Sequence, residues 1–199
     1  MGETSFQKGT KPIKLIAAAC NNMGIGRNGC LPWNLPKEYK YFIDKITSVT
    51  QPGKKNLIVL GRFSFESFDE RYLPLPNCII ALLSRKESTL PPHASHICRD
   101  EEDVLKLAST PPLCNEVETI WILGGAEYYK TMMQHPWCDE IYLTRVQADF
   151  ECDTFFPEVN QEIYKLMENF PGVPSEVQEE NGLSYVFQVY KRAENIKRQ

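Results

Sequence analysis

The sequence predicts a single-domain α/β protein: a mostly parallel sheet with helices on both faces and an antiparallel hairpin at its C-terminal edge. Three observations carry this. Apolar, β-branched runs recur along the chain without polar alternation, as expected for strands covered on both sides. Helix-like stretches separate them, the alternation that builds parallel sheets. Near the end the pattern changes to an Asn-Gly turn followed by a strictly alternating strand.

In chain order, the strands are "IKLIAAAC" at 13–20, "NLIVLG" at 56–61, "CIIALLS" at 78–84, "ETIWILGG" at 118–125 and "EIYLTRV" at 140–146. Between them, helices are expected at 35–47, 64–68, 100–108 and 126–133. The turn at Asn181-Gly182 leads into "LSYVFQVY" and closes the hairpin. With no repeats or long linkers, one domain is expected over 13–191. Residues 1–12, polar and without a signal-peptide core, and 192–199 are expected to be tails. The initial Met-Gly resembles a lipidation signal, but Phe6 stands where Ser or Thr is required, so no anchor is expected.

Composition narrows the function classes. The 42% hydrophobic and 24% charged fractions are those of a globular protein. A net charge of −4 offers no basic footprint for nucleic acid or an anionic membrane, leaving a small molecule as the expected partner. Seven cysteines, with no C-x-x-C pair, read as reduced thiols of a cytoplasmic protein. His93, His96 and His135 do not have zinc-ligand spacing, so no metal is expected.

The stretch "NNMGIGRNGCLPW" at 21–33 spells G-x-G-x-x-G at Gly24, Gly26 and Gly29. A dinucleotide fingerprint must open directly into a helix, with an acid at the end of the next strand. Here Pro32 and Pro36 bias their predecessors away from helix, and the next strand ends in Gly61-Arg62. The motif is therefore a decoy. What remains is a glycine-hinged loop, either a cover over a cleft or an ordinary surface loop.

In "LPKEYKYFIDKI", Leu35, Tyr39, Phe42 and Ile46 form a helical stripe that faces the core, and Glu38 falls on the same face. A buried carboxylate needs a partner or a raised pKa. Either it reaches solvent or a structural Arg at the edge of the stripe, or it grips a ligand bearing an amidine-like N–H pair. Three strand ends also suit phosphate: Arg62 with Ser64, Ser84 with Arg85, and Gly124-Gly125 before a helix. Together they suggest a phosphorylated dinucleotide such as NADPH.

In this order the pieces resemble dihydrofolate reductase of the animal type, from about residue 13 to 191. The likeness rests on "NMGIGRNGCLPW", Glu38 with Phe42, "NLIVLGR", "LSR", "WILGGAEYYK", "LTR" and "DTFFPE". It implies a central eight-stranded mixed sheet and NADPH-dependent hydride transfer to 7,8-dihydrofolate. By position, Glu38 would bind the pterin and help protonate N5, with Thr144 bonded to it and Trp33 ordering a water. Ile16, Tyr39, Phe42, Ser67, Phe68, Leu75, Leu123 and Tyr129 would contact substrate. The cofactor positions would be Ala18, Ile25, Gly26, Gly61, Arg62, Phe63, Ser64, Leu83, Ser84, Arg85, Gly124, Gly125, Ala126, Glu127 and Tyr128. The glycine-hinged loop would be the lid over the nicotinamide. No motif points to a protein partner.

The chain departs from the family pattern at Cys30, usually Asp, and at the end that holds the folate glutamate. There the clamping Arg falls at Cys78, a frequent basic residue at Pro76, an Asn at Tyr72 and a Gln at Ile43. A charge-assisted hydrogen bond is worth roughly 1.5–3 kcal/mol, so the missing Arg alone predicts about ten- to a hundredfold weaker folate binding. Compensation by Arg71, a tail-less dihydropterin or other heterocycle as substrate, and a non-catalytic NADPH-binding protein are the alternatives.

Overall fold

The computed structural model describes residues 11–196. The N-terminal lipidation-like start and most of the expected 1–12 tail lie outside the described residues.

The sheet begins with β1 (Ile13–Ala19), whose buried Ile13, Leu15 and Ile16 mark it as a central strand. A short strand β2 (Gly24–Gly26) and helix α1 (Pro36–Thr47) follow, then β3 (Lys55–Gly61) and α2 (Arg62–Glu66). A 3-10 turn at Glu70–Tyr72 precedes β4 (Cys78–Leu83), β5 (His96–Cys98), α3 (Glu101–Ser109) and α4 (Leu113–Glu116). Next come β6 (Val117–Ile122), α5 (Ala126–Met133) and β7 (Cys138–Val146). The chain closes with β8 (Thr154–Phe155), β9 (Tyr164–Leu166), β10 (Gln178–Glu180), β11 (Leu183–Arg192) and α6 (Ala193–Ile196).

Eight strands follow one another in the order β10-β11-β7-β1-β6-β3-β4-β5, and β9 adds to the outer part of β11. The pairs from β7 through β1, β6, β3 and β4 to β5 are parallel, whereas β11 runs antiparallel to β7, β9 and β10. This is the predicted mostly parallel sheet with its C-terminal hairpin. β2 and β8 form a separate antiparallel pair.

The two faces of the sheet are filled by different helices. Val104, Ala108, Met132 and Met133 of α3 and α5 pack with Leu15, Val59 and Ile122 on one face. On the other, Ile43 and Ile46 of α1 meet Ile16, Ile58 and Trp121. The buried residues of α1 are Glu38, Ile43 and Ile46. Tyr39 and Phe42, expected in the core, are only half-buried because they face a cleft.

At the far end, Arg192 belongs to β11 and donates to the backbone oxygens of Cys138 and His135. Ordered structure therefore continues through 192–196, which the sequence pattern assigns to a tail. Among the described residues no helix is long and apolar enough to cross a membrane, and no cluster of metal-ligating side chains occurs.

Candidate active site

A cleft of about 610 Å³ opens at the carboxyl ends of β1, β3 and β6, the edge where parallel sheets bind ligands. Of the residues expected to hold ligands, it brings together Ile16, Ala18, Ile25, Gly26, Glu38, Tyr39, Phe42, Phe63, Ser64, Ser67, Phe68, Leu123, Gly124, Gly125, Ala126 and Tyr129. Its charged lining residues are both acids, Glu38 and Asp153.

Glu38 is 6% exposed in the first turn of α1. Thr144 Oγ1, projecting from β7, donates to its Oε1 at 2.9 Å. No cation pairs with it among the described ion pairs. Burial pushes its pKa up to about 7, the Thr144 hydrogen bond pulls it down, and the charge of Glu180 raises it further. The carboxyl group thus stands near half protonation at neutral pH, the condition for taking up and giving back a proton.

Glu180, at the end of β10, is a part of this arrangement that the sequence pattern does not mark. Its carboxylate accepts from the backbone N–H of Lys37 at 2.8 Å and of Glu38 at 3.4 Å, and from Tyr185 Oη at 3.2 Å. Leu35, Pro36 and their neighbours supply no side-chain cap, so an acid from 142 residues away does so. No local spacing signals a cap supplied across the fold. At the other end of α1, the Asn56 amide donates to the backbone oxygens of Ile46 and Ser48.

Trp33 is buried, packed edge-on to Phe150 and grouped with Cys20, Leu35 and Val146, and does not line the cleft itself. Its indole N–H has no protein acceptor among the described residues, which suits an ordered water. Tyr129 Oη donates to the backbone oxygen of Ile16, tying α5 to β1 at the centre of the site.

The cradle next to α5 fits a bound phosphate. Among the described residues no side chain caps the start of α5, and Gly125 and Ala126 at that start line the cleft. Gly124 has φ +122°, and a Cβ there would lie 2.9 Å from Ser64 Oγ, so only glycine permits this approach. Arg62, Arg85 and Arg99 gather at the same sheet edge, beyond β3, β4 and β5. Arg99 is not marked by the sequence pattern because β5 is three residues long. Arg62 is engaged by Glu66 at 2.9 Å and Glu87 at 2.7 Å. Ser84 Oγ accepts from the N–H groups of Lys86 and Glu87, which fixes the turn that presents Glu87.

Other expected contacts differ. Leu83 is buried in the core on the α3 and α5 face, and Leu75 in the core on the α1 face, so neither side chain reaches the cleft. Gly61 is covered by Tyr128, whose ring a Cβ would meet at 2.8 Å. Tyr128 and Glu127 lie outside the lining because their positions on α5 turn away from it, and Arg62, Ser84 and Arg85 stand at the rim beyond it. Ala17, Gly29, Cys30, Leu31, Leu60, Asp153 and Thr154 line it unforeseen. They come from loop 21–33, from β8 and its approach, and from strand positions next to expected ones.

At the end facing α1 and the 3-10 turn, Cys78 Sγ donates to the Ile46 backbone oxygen at 3.5 Å, and burial pushes its thiol up to about 12. Ile43 is in the core, and Tyr72 leans on Tyr39 with ring centroids 5.4 Å apart. Arg71 points to solvent and is held by both oxygens of Asp69. The expected compensation by Arg71 is therefore opposed by an existing ion pair.

The family model described as "Dihydrofolate reductase" matches residues 12–192. The chain belongs to the dihydrofolate reductase family. Among curated relatives, "Dihydrofolate reductase" of Sus scrofa is 43% identical over 183 residues, covering 92% of this chain and 98% of the relative. "Viral dihydrofolate reductase" of Saimiriine herpesvirus 2 (strain 488) is 40% identical and covers 92% of this chain and 86% of its own. The solved structure of "Schistosoma mansoni Dihydrofolate reductase" superposes with a TM-score of 0.80 at 29% identity, covering 92% and 99% of the two chains. Membership accounts for an α/β sheet of this topology with its cleft at the carboxyl edge.

Proposed function

We propose that this protein is an NADPH-dependent reductase that converts 7,8-dihydrofolate to tetrahydrofolate in the cleft around Glu38. The observation that carries the reading is a buried carboxyl group, without a cation partner among the described residues and raised to about 7, at the carboxyl edge of a reductase-family sheet. A ring bearing adjacent N–H groups satisfies that acid with two hydrogen bonds. Thr144 fixes the orientation of the carboxyl group. Trp33 holds a water beneath the ring, through which a proton passes between Glu38 and the reducible C=N bond.

Gly124, Gly125, Ser64 and the start of α5 hold the cofactor's phosphates, with Arg62, Arg85 and Arg99 at the ribose-phosphate end. When bound, NADPH supplies the hydride to C6 of the substrate. Ile16, Ala18, Ile25, Leu123 and Tyr129 shape the wall on which the two rings meet and exclude bulk water. Tyr39, Phe42 and Phe68 pack against the body of the substrate. The protein works in the cytoplasm as one domain over 13–191, extended by the ordered residues to 196.

The test is NADPH consumption by the purified chain with 7,8-dihydrofolate. Rapid turnover that collapses in Glu38→Gln supports the reading. Undiminished turnover in that variant removes Glu38 from the mechanism, and no turnover by the parent chain overturns the assignment.

A further inference from the structure

Cys20, at the end of β1, and Cys152, just before β8, bring their sulfurs to 3.9 Å although they are 132 residues apart. They lie where two segments are fastened along their length. Asn21 N–H donates to the Ala148 oxygen, Phe156 N–H to the Met23 oxygen, and Asp153 N–H to the Gly26 oxygen. Arg27 pairs with Glu151 at 2.9 Å, and Asn28 N–H donates to Asp153 Oδ2 at 2.8 Å. The first segment is the glycine-hinged loop, and the second carries Asp153 and Thr154 into the cleft wall.

The chemistry of the pair is asymmetric. Cys20 is fully buried, and its thiol donates to Asn22 Oδ1 at 2.9 Å. Cys152 is partly exposed and lies directly on Gly24, where a Cβ would come within 2.3 Å of its sulfur. All seven cysteines are free thiols. Bonding requires the sulfurs to close to about 2.05 Å, a local adjustment between backbones already held together.

We propose that Cys20 and Cys152 are a site of reversible thiol oxidation, at which a low-molecular-weight disulfide such as oxidised glutathione links the covering loop to the cleft wall. Cys152, the accessible partner, loses its proton to solvent and attacks one glutathione sulfur, breaking that disulfide and expelling one glutathione thiolate. Cys20 then loses its proton to solvent and attacks Cys152 Sγ, expelling the second glutathione thiolate. Each thiolate takes a proton. The protein loses two electrons and two hydrogens, and one glutathione disulfide becomes two glutathione thiols. Closing the bond moves Cys20 away from Asn22 or lifts Cys152 off Gly24, and either shift is felt at Ile25, Gly26, Asp153 and Thr154.

The test incubates the folded full chain with oxidised glutathione, blocks residual thiols by alkylation and maps peptides by mass spectrometry. The expected product is a Cys20–Cys152 linked peptide, reversed by dithiothreitol. In Cys20→Ser the reaction stops with one glutathione on Cys152, and in Cys152→Ser no link to Cys20 forms. Glutathione on the exposed Cys30 without any Cys20–Cys152 link overturns the proposal. Where a variant misfolds by circular dichroism, the parent chain's linked peptide decides. This mass readout is independent of the reaction assigned above. Turnover of the linked protein is expected to change at least threefold and to recover on reduction; a complete link with unchanged turnover overturns its connection to the cleft.

Discussion

Two acids are buried to the same depth along β7, one within the strand and one bonded to it, and they have opposite surroundings. Glu140, 5% exposed near the amino end of the strand, accepts from Tyr142 Oη at 3.0 Å and meets Lys14 at 3.2 Å and Lys191 at 3.7 Å. Glu38, 6% exposed, reaches the same strand four residues further on, at Thr144, and finds a hydroxyl and a second acid instead of cations. Burial alone therefore does not distinguish the acid proposed to act on substrate from a structural one. The partners do: where the sheet's carboxyl edge opens into the cleft, the compensating charge is withheld.

The largest effect expected from this contrast is on turnover. Glu38→Gln should lower kcat for dihydrofolate about 10²- to 10⁴-fold, the range for removing a positioned acid, while leaving NADPH affinity measured by fluorescence quenching unchanged. Equal losses in both would place Glu38 in folding or cofactor binding.

Stability should separate the acids in the opposite direction. Glu140→Gln strands two lysine charges and should cost about 3 kcal/mol in urea unfolding at neutral pH. For Glu38 the unfolded chain ionises near 4.5 and the folded chain near 7, so between those values the folded state holds the extra proton. Its contribution is intact below 4.5 and is lost as pH rises through 7, a fall of roughly 3 kcal/mol. Relative to Glu38→Gln, the parent chain should lose that amount between pH 4.5 and 7.5. A parallel pH dependence in the two proteins would contradict the raised acid.

Smaller changes sharpen the comparison. Glu180→Gln removes the negative neighbour while keeping an acceptor for α1, and should lower the acidic midpoint of the turnover–pH profile by roughly half a unit. Glu87→Gln releases one of the two carboxylates on Arg62 and should tighten NADPH about threefold with little effect on NADH, read by equilibrium titration.

The sheet was legible because its central strands are uninterrupted apolar runs, and Glu38 because a charge interrupts an apolar helical stripe. Short strands such as β2, β5 and β8 carry two or three residues each and no periodicity, which hid Arg99, Asp153 and Thr154. Periodicity alone assigns Tyr39 and Phe42 to the core and only the family resemblance places them at the ligand, since an apolar face turned to a cleft has the same spacing as one turned to the core. Leu83 followed the reverse course, an apolar strand end beside two rim residues that packs inward. Glu180 is invisible in the sequence because local spacing marks only caps supplied by neighbouring residues, whereas this cap arrives from another part of the chain.

That cap ties the site to the order of synthesis. Helix α1 and Thr144 emerge from the ribosome before residues 178–190, which bring the Glu180 carboxylate and the strand that borders β7. Until that last segment has emerged and docked, a nascent chain has α1 without the group that holds its first turn and β7 as an open edge. The candidate site is thus completed by strands translated after its other parts, so a growing polypeptide is expected to lack NADPH-dependent turnover until the hairpin closes.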